Sequence, residues 1–99
     1  FKHLDVLATP SCIIGTAKLG TKEIEVKKNK MHFVKAWGLL AQPFNVTGFP
    51  AISIPCGFDH NQMPLGLQLI AKPFDEATLL RVAQAYELNT EWHKANPLI

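Results

Sequence analysis

Proline and glycine punctuate this chain so closely that its extended segments have to be short. Leu4 to Thr9 runs largely apolar and stops at Pro10, Ala51 to Ile54 is bracketed by Pro50 and Pro55, and Leu65 to Ala71 begins directly after Pro64. Proline has no N–H for a β-ladder and clashes inside a helix, so runs cut to this length by proline read as strands. The bracketing prolines hold the second strand to about five residues. The third is apolar at nearly every position, as expected of a strand covered on both faces. A loop of breakers, Gly57 to Pro64, separates the second and third, and these two are expected to pair antiparallel.

Two other segments carry periodicity. Glu23-Ile24-Glu25-Val26 alternates strictly, Lys27 to Lys30 supplies turn residues, and Met31 to Val34 resumes, which predicts a polar hairpin over about 22–34. Phe33, Val34, Trp37 and Leu40 then recur at helical steps, so a short helix is expected from Phe33 to Leu40, ended by the bend that starts at Pro43. The clearest helix begins at Asp75, whose carboxylate is placed to accept from free backbone N–H groups, with Phe74 and Leu79 spaced for a hydrophobic staple. Leu79, Val82, Ala83 and Tyr86 form its apolar stripe, and Asn89 marks its end. The order of strand, hairpin, helix, strand, strand, helix predicts an α/β fold: a mixed β-sheet with helices packed on it. Ninety-nine residues suffice for one core, so residues 1–99 are read as a single unit.

Composition excludes several functions. No apolar stretch approaches the roughly 20 residues that span a bilayer. The net charge of +2 is uneven, with six lysines between Lys18 and Lys35 against Glu23 and Glu25, but the single arginine, Arg81, lies far from that run. A nucleic-acid footprint also needs arginines and stacking aromatics on one surface, so the lysines read as protection for a hairpin edge. The two cysteines, Cys12 and Cys56, read as reduced thiols of a cytoplasmic protein. The histidines stand singly, with Cys56 and His60 the sole close pair, and no metal or cofactor is expected. Ser11 and Ser53 lie in no Gly-x-Ser-x-Gly elbow, and Ser53 between Ile52 and Ile54 reads as tolerated on a packed sheet face. Gly15 to Lys22 has Lys and Thr in the wrong order for a phosphate loop, and a strand follows it where a helix should. The acceptor triplet Asn45-Val46-Thr47 matters only in a secreted protein.

Longer strings carry more. Asp5-Val6-Leu7-Ala8-Thr9-Pro10, the segment Pro43 to Phe58 (PFNVTGFPAISIPCGF) and the segment Pro64 to Ala83 (PLGLQLIAKPFDEATLLRVA) closely resemble, in order and spacing, the C-terminal part of amidase-signature enzymes. The resemblance runs over nearly the whole chain. It implies a mixed-sheet α/β hydrolase that cleaves carboxamides with a serine nucleophile, a bridging serine and a lysine base. In that family the three lie upstream of the matched segment, in motifs absent from these residues, so no catalytic residue carries over and the 99-residue chain alone is expected to be inactive.

Architecture does carry over. The resemblance makes Asn45, Gly48, Pro50, Pro55, Gly57 and Asp75 structural motif positions, and helix phase puts Trp37, Gly38 and Ala41 on one wall of the substrate pocket. The expected partners are an N-terminal remainder of a longer parent and, in the complete enzyme, a small amide. A separate piece with bare apolar faces is expected to be marginal or to self-associate. The tRNA-dependent amidotransferase subunits of this family place an acidic residue five positions before the proline matching Pro43, where Gly38 stands here. That departure, Trp37 beside it and the hairpin favour an amidase over an amidotransferase. A free-standing binding or assembly module with the same fold is the alternative from another functional class.

Overall fold

The computed structural model describes residues 1–97. Its main sheet is three antiparallel strands, β1 (Val6–Pro10), β4 (Ala51–Phe58) and β5 (Pro64–Ala71), in the order β1-β5-β4. A separate hairpin pairs β2 (Glu23–Val26) with β3 (Asn29–His32). Three helices follow the chain order, α1 (Phe33–Gly38), α2 (Gln42–Thr47) and α3 (Glu76–Leu88), and a 3-10 turn spans Trp92–Lys94. No helix among the described residues is long and apolar enough to cross a membrane.

The centre strand is the apolar one. Strand β5 buries Gln68, Leu69, Ile70 and Ala71, because both its edges are paired and both its faces are covered there. Strand β4 runs three residues past its expected end at Pro55. It is an outer strand, where proline is tolerated, and the register shifts between Pro55 and Gly57, leaving Cys56 as the bulged residue and Gly57 at a φ of 140°. Pro10 is accommodated in β1 for the same reason: the Ser11 N–H points inward to the Gly66 carbonyl at 3.0 Å, so position 10 faces outward.

The hairpin turn is tighter than its sequence suggests. Lys27 and Lys28 alone form it, with φ values of 49° and 68°, the two-residue geometry whose twist matches paired strands. The expected single helix from Phe33 to Leu40 is two helices. His32 caps α1, its Nδ1 accepting from the Val34 N–H at 3.3 Å, and α1 ends at Gly38. Helix α2 occupies the segment read as a bend, because Pro43 falls in its first turn, where a missing N–H costs nothing. Gly48, at a φ of 75°, closes it by donating to the Phe44 carbonyl at 2.9 Å.

Helix α3 lays Leu79 and Ala83 on Ile54, Leu69 and Ala71, with Tyr86 partly buried alongside; Val82, expected in the stripe, is 36% exposed. Asp75 stands at the N-cap, but its carboxylate accepts from the Thr78 hydroxyl at 2.8 Å and from no backbone N–H. The expected staple is also absent. Phe74 takes a φ of 65° and is 96% exposed, turned away from Leu79.

The opposite sheet face is apolar at Ile70 and turns polar and small toward Gly66. Ser11 lies opposite Gly66, and the Ser11 and Ser53 hydroxyls bond to each other over that glycine. A Cβ on Gly66 would stand 2.6 Å from Ser11 Oγ, 2.8 Å from Ser53 Oγ and 3.0 Å from Ser11 Cβ. Both serine side chains are too short to yield, so Gly66→Ala should destabilise this chain by about 1–3 kcal/mol in urea unfolding. No change in the midpoint would show that the serines move aside freely. Leu79→Ala should cost about 2–5 kcal/mol and Val82→Ala under about 1 kcal/mol; equal costs would contradict the packing of α3.

Candidate functional site

Two clefts open on the sheet. The larger, about 650 Å³, lies beside the end of β1 and the loop after it, and its walls include Ser11, Cys12, Phe33, Trp37, Cys56 and Leu65. Among the described residues its only ionisable side chains are the two cysteines, both free and half-buried, and the Cys56 Sγ–H donates to the Leu65 carbonyl at 3.6 Å. The smaller, about 360 Å³, lies between α2 and β4 and is lined by Ala41, Phe44, Asn45, Phe49, Ala51, Ile52, Ser53 and Gln68, none of them ionisable.

Gln68 joins the two faces of this region. Only 7% of it is exposed, and its Nε2 donates to Thr9 Oγ1 at 3.0 Å and to the Leu40 carbonyl at 3.2 Å. A buried amide is tolerable because those bonds replace water. They also pin the link between α1 and α2 over the polar face of the sheet.

The residues singled out in the sequence are distributed unequally. Trp37 lines the larger cleft and Ala41 the smaller, while Gly38 lines neither; the helix stops at Gly38, so the three do not share one helical wall. Asn45 lines the smaller cleft, Gly48 caps α2, and the Pro50 carbonyl accepts from the Ala71 N–H at 3.0 Å at the start of β4. Pro55 and Gly57 flank the bulge, and Asp75 sits at the start of α3, away from both clefts. His60 is exposed on the β4–β5 loop and shares no hydrogen bond with Cys56. That loop is organised instead by Asp59, whose Oδ1 accepts from the Asn61 and Met63 N–H groups at 2.8 and 3.0 Å. Among the described residues no three His, Cys, Asp or Glu side chains group as metal ligands.

Ser53 is not on a packed face. It is exposed, bonded to Ser11 and turned toward the smaller cleft. The Ser11–Ser53 pair and the Gln68 contacts join residues 28 to 59 positions apart, so no local spacing announces them. The available signal is Gln68 itself, one polar residue inside an apolar strand.

Comparison with known proteins places this architecture. The amidase family model matches residues 1–80. The glutamyl-tRNA(Gln) amidotransferase A subunit of Thermodesulfovibrio yellowstonii is 39% identical over the whole chain, and its counterpart in Bacillus thuringiensis is 44% identical over 94% of it. The chain spans 19% and 18% of the length of those relatives. Among solved structures, a chain of a vestigial protein complex bearing on the origins of an s-triazine catabolic enzyme superposes on 90% of this chain with a TM-score of 0.84 at 33% identity, and an amidase on 89% with 0.83 at 25%. In each case this chain corresponds to 20% of the larger one. On the match over residues 1–80 and the shared sheet and helices, this chain belongs to the amidase family.

Proposed function

We propose that this chain supplies the C-terminal sheet, a packing helix and part of the substrate pocket of a carboxamide hydrolase whose nucleophile and base lie on sequence outside these 99 residues. The observation that carries this reading is chemical. Cleaving an amide needs a nucleophile with a base in hydrogen-bond reach. Among the described residues, the larger cleft holds only two thiols as ionisable groups, the smaller holds none, and the Ser11 and Ser53 hydroxyls bond to each other with no base hydrogen-bonded to either. Trp37 in the larger cleft and Ala41 in the smaller are the wall residues of this proposal, with Trp37 offering an apolar surface for the acyl group. Two free cysteines accord with a cytoplasmic setting.

The second reading, part of a tRNA-dependent amidotransferase, is favoured by the names of the curated relatives. Against it stands Gly38, which offers no carboxylate to hold the ammonium group of glutamine. A free-standing binding module is the third reading, and it requires a native chain of this length.

This chain alone should release no ammonia from neutral carboxamides above the rate in buffer; release proportional to its concentration would overturn the proposal. In the complete polypeptide, Trp37→Ala should raise KM for amides with bulky apolar acyl groups by about tenfold, with a smaller change in kcat. Unchanged KM would remove Trp37 from the pocket. Gly38→Asp should bring in glutamine as a substrate if the missing carboxylate is what excludes it, and continued rejection of glutamine would count against that role for position 38.

A further inference from the structure

The hairpin of β2 and β3 belongs to neither cleft. None of residues 22–32 lines either one, and the hairpin is a sheet of its own that leans chiefly on α1. Its turn is built from costly residues. Lys27 and Lys28 both take positive φ, 49° and 68°, where a side chain crowds the backbone and where asparagine followed by glycine fits best. Lysine relieves none of that strain, and both residues are exposed. What it brings to the tip is charge. Among the described residues the ion pair is Lys94 with Glu91, so Lys27, Lys28 and Lys30 have no carboxylate in contact.

The register shows which edge of the hairpin suits a partner. The Phe33 N–H donates to the Lys22 carbonyl at 2.8 Å, which makes 22 and 33 a hydrogen-bonded pair. Alternation along an antiparallel ladder then makes Ile24 with Met31 and Val26 with Asn29 the pairs bonded inward. The backbone groups of Glu23 and Glu25 therefore point out from β2, and those of Lys30, with the His32 N–H, point out from β3. Neither outer edge has a strand beside it. The two edges differ in charge: glutamates stand on one, and on the other lysine and histidine continue from the lysine tip. Like charge keeps a basic strand off the β3 edge, and opposite charge favours an acidic one.

We propose that the free edge of β3, together with the tip lysines, docks an extended acidic segment of a partner protein as an added strand. The partner backbone bonds to Lys30 and to the His32 N–H, and its carboxylates face Lys27, Lys28 and Lys30. The hairpin from Lys22 to His32 holds no arginine and no aromatic ring, and its exposed face includes Glu23 and Glu25, so a nucleic-acid strand would find repulsion and nothing to stack on. The inference uses neither cleft nor amide hydrolysis, so either can fail without the other.

The test uses the complete polypeptide that contains this segment, with binding read by fluorescence anisotropy of labelled peptides. The first probe is a capped peptide of about six residues alternating glutamate and valine, a usual strand length. The second has lysine in place of glutamate. The third is the acidic peptide N-methylated at its glutamates, whose N–H groups would face β3 when their side chains face Lys30. The acidic peptide should bind saturably and lose affinity with added salt, and each of the other two should bind at least about tenfold more weakly. Lys27→Asn combined with Lys28→Gly suits the turn while removing its charge, and should weaken the acidic peptide about fivefold with no fall in Tm. Lys30→Glu, which leaves the turn untouched, should weaken the acidic peptide and strengthen the lysine peptide. Equal binding of the methylated and parent acidic peptides would leave a charge contact without strand addition and overturn the proposal. Unchanged affinity in both variants, tighter binding of a short oligothymidylate than of the acidic peptide, or no saturable binding at millimolar peptide would each overturn it as well.

Discussion

Everything in this fold is arranged around a centre strand paired along both edges. Because β1 and β4 take the backbone groups of β5, its side chains have only the two sheet faces to occupy. Leu67, Leu69 and Ala71 alternate onto the face that α3 covers, where they meet Leu79, Ala83 and Tyr86. Gly66, Gln68 and Ile70 alternate onto the other. That face is closed by a glycine that makes room for two serine hydroxyls and by a glutamine whose amide ties Thr9 to the link between α1 and α2. One strand therefore builds the α3-facing core on one side and, on the other, a buried Ile70 next to a polar floor at Gly66 and Gln68.

The division explains why the chain looks like part of a site. The apolar side is satisfied by α3, but the polar side carries the exposed Ala51, Ser53 and Pro55 of β4 and opens into two clefts. Both β1 and β4 are outer strands of a three-stranded sheet, in a family whose curated members are about five times as long as the segment this chain matches. Small side chains and an open face suit close approach by further structure, and the clefts offer walls and hydrogen-bond acceptors but no base.

Much of this is legible in the sequence where local chemistry governs. The apolar run at Leu65 to Ala71, the alternation at Glu23 to Val26 and the stripe through Leu79 and Ala83 are each determined by burial of neighbouring positions, and each forms as its pattern predicts. The misses are positions where tertiary context reverses a local rule. Pro55 does not end its strand because the strand lies at an edge, and Pro43 does not end a helix because it begins one. Phe74 has the spacing of a staple, but its positive φ swings the ring into solvent. The site is less legible than the fold, since Ser11 with Ser53 and Thr9 with Gln68 meet only after three strands are assembled.

The central claim is that these residues form a wall and floor for chemistry carried by sequence elsewhere. The most direct test is the intact mass of the native polypeptide that contains this segment, captured from its source. A chain about five times longer, in keeping with the 19% of the curated relatives that this segment spans, is the predicted result. A native species no longer than these 99 residues would contradict it.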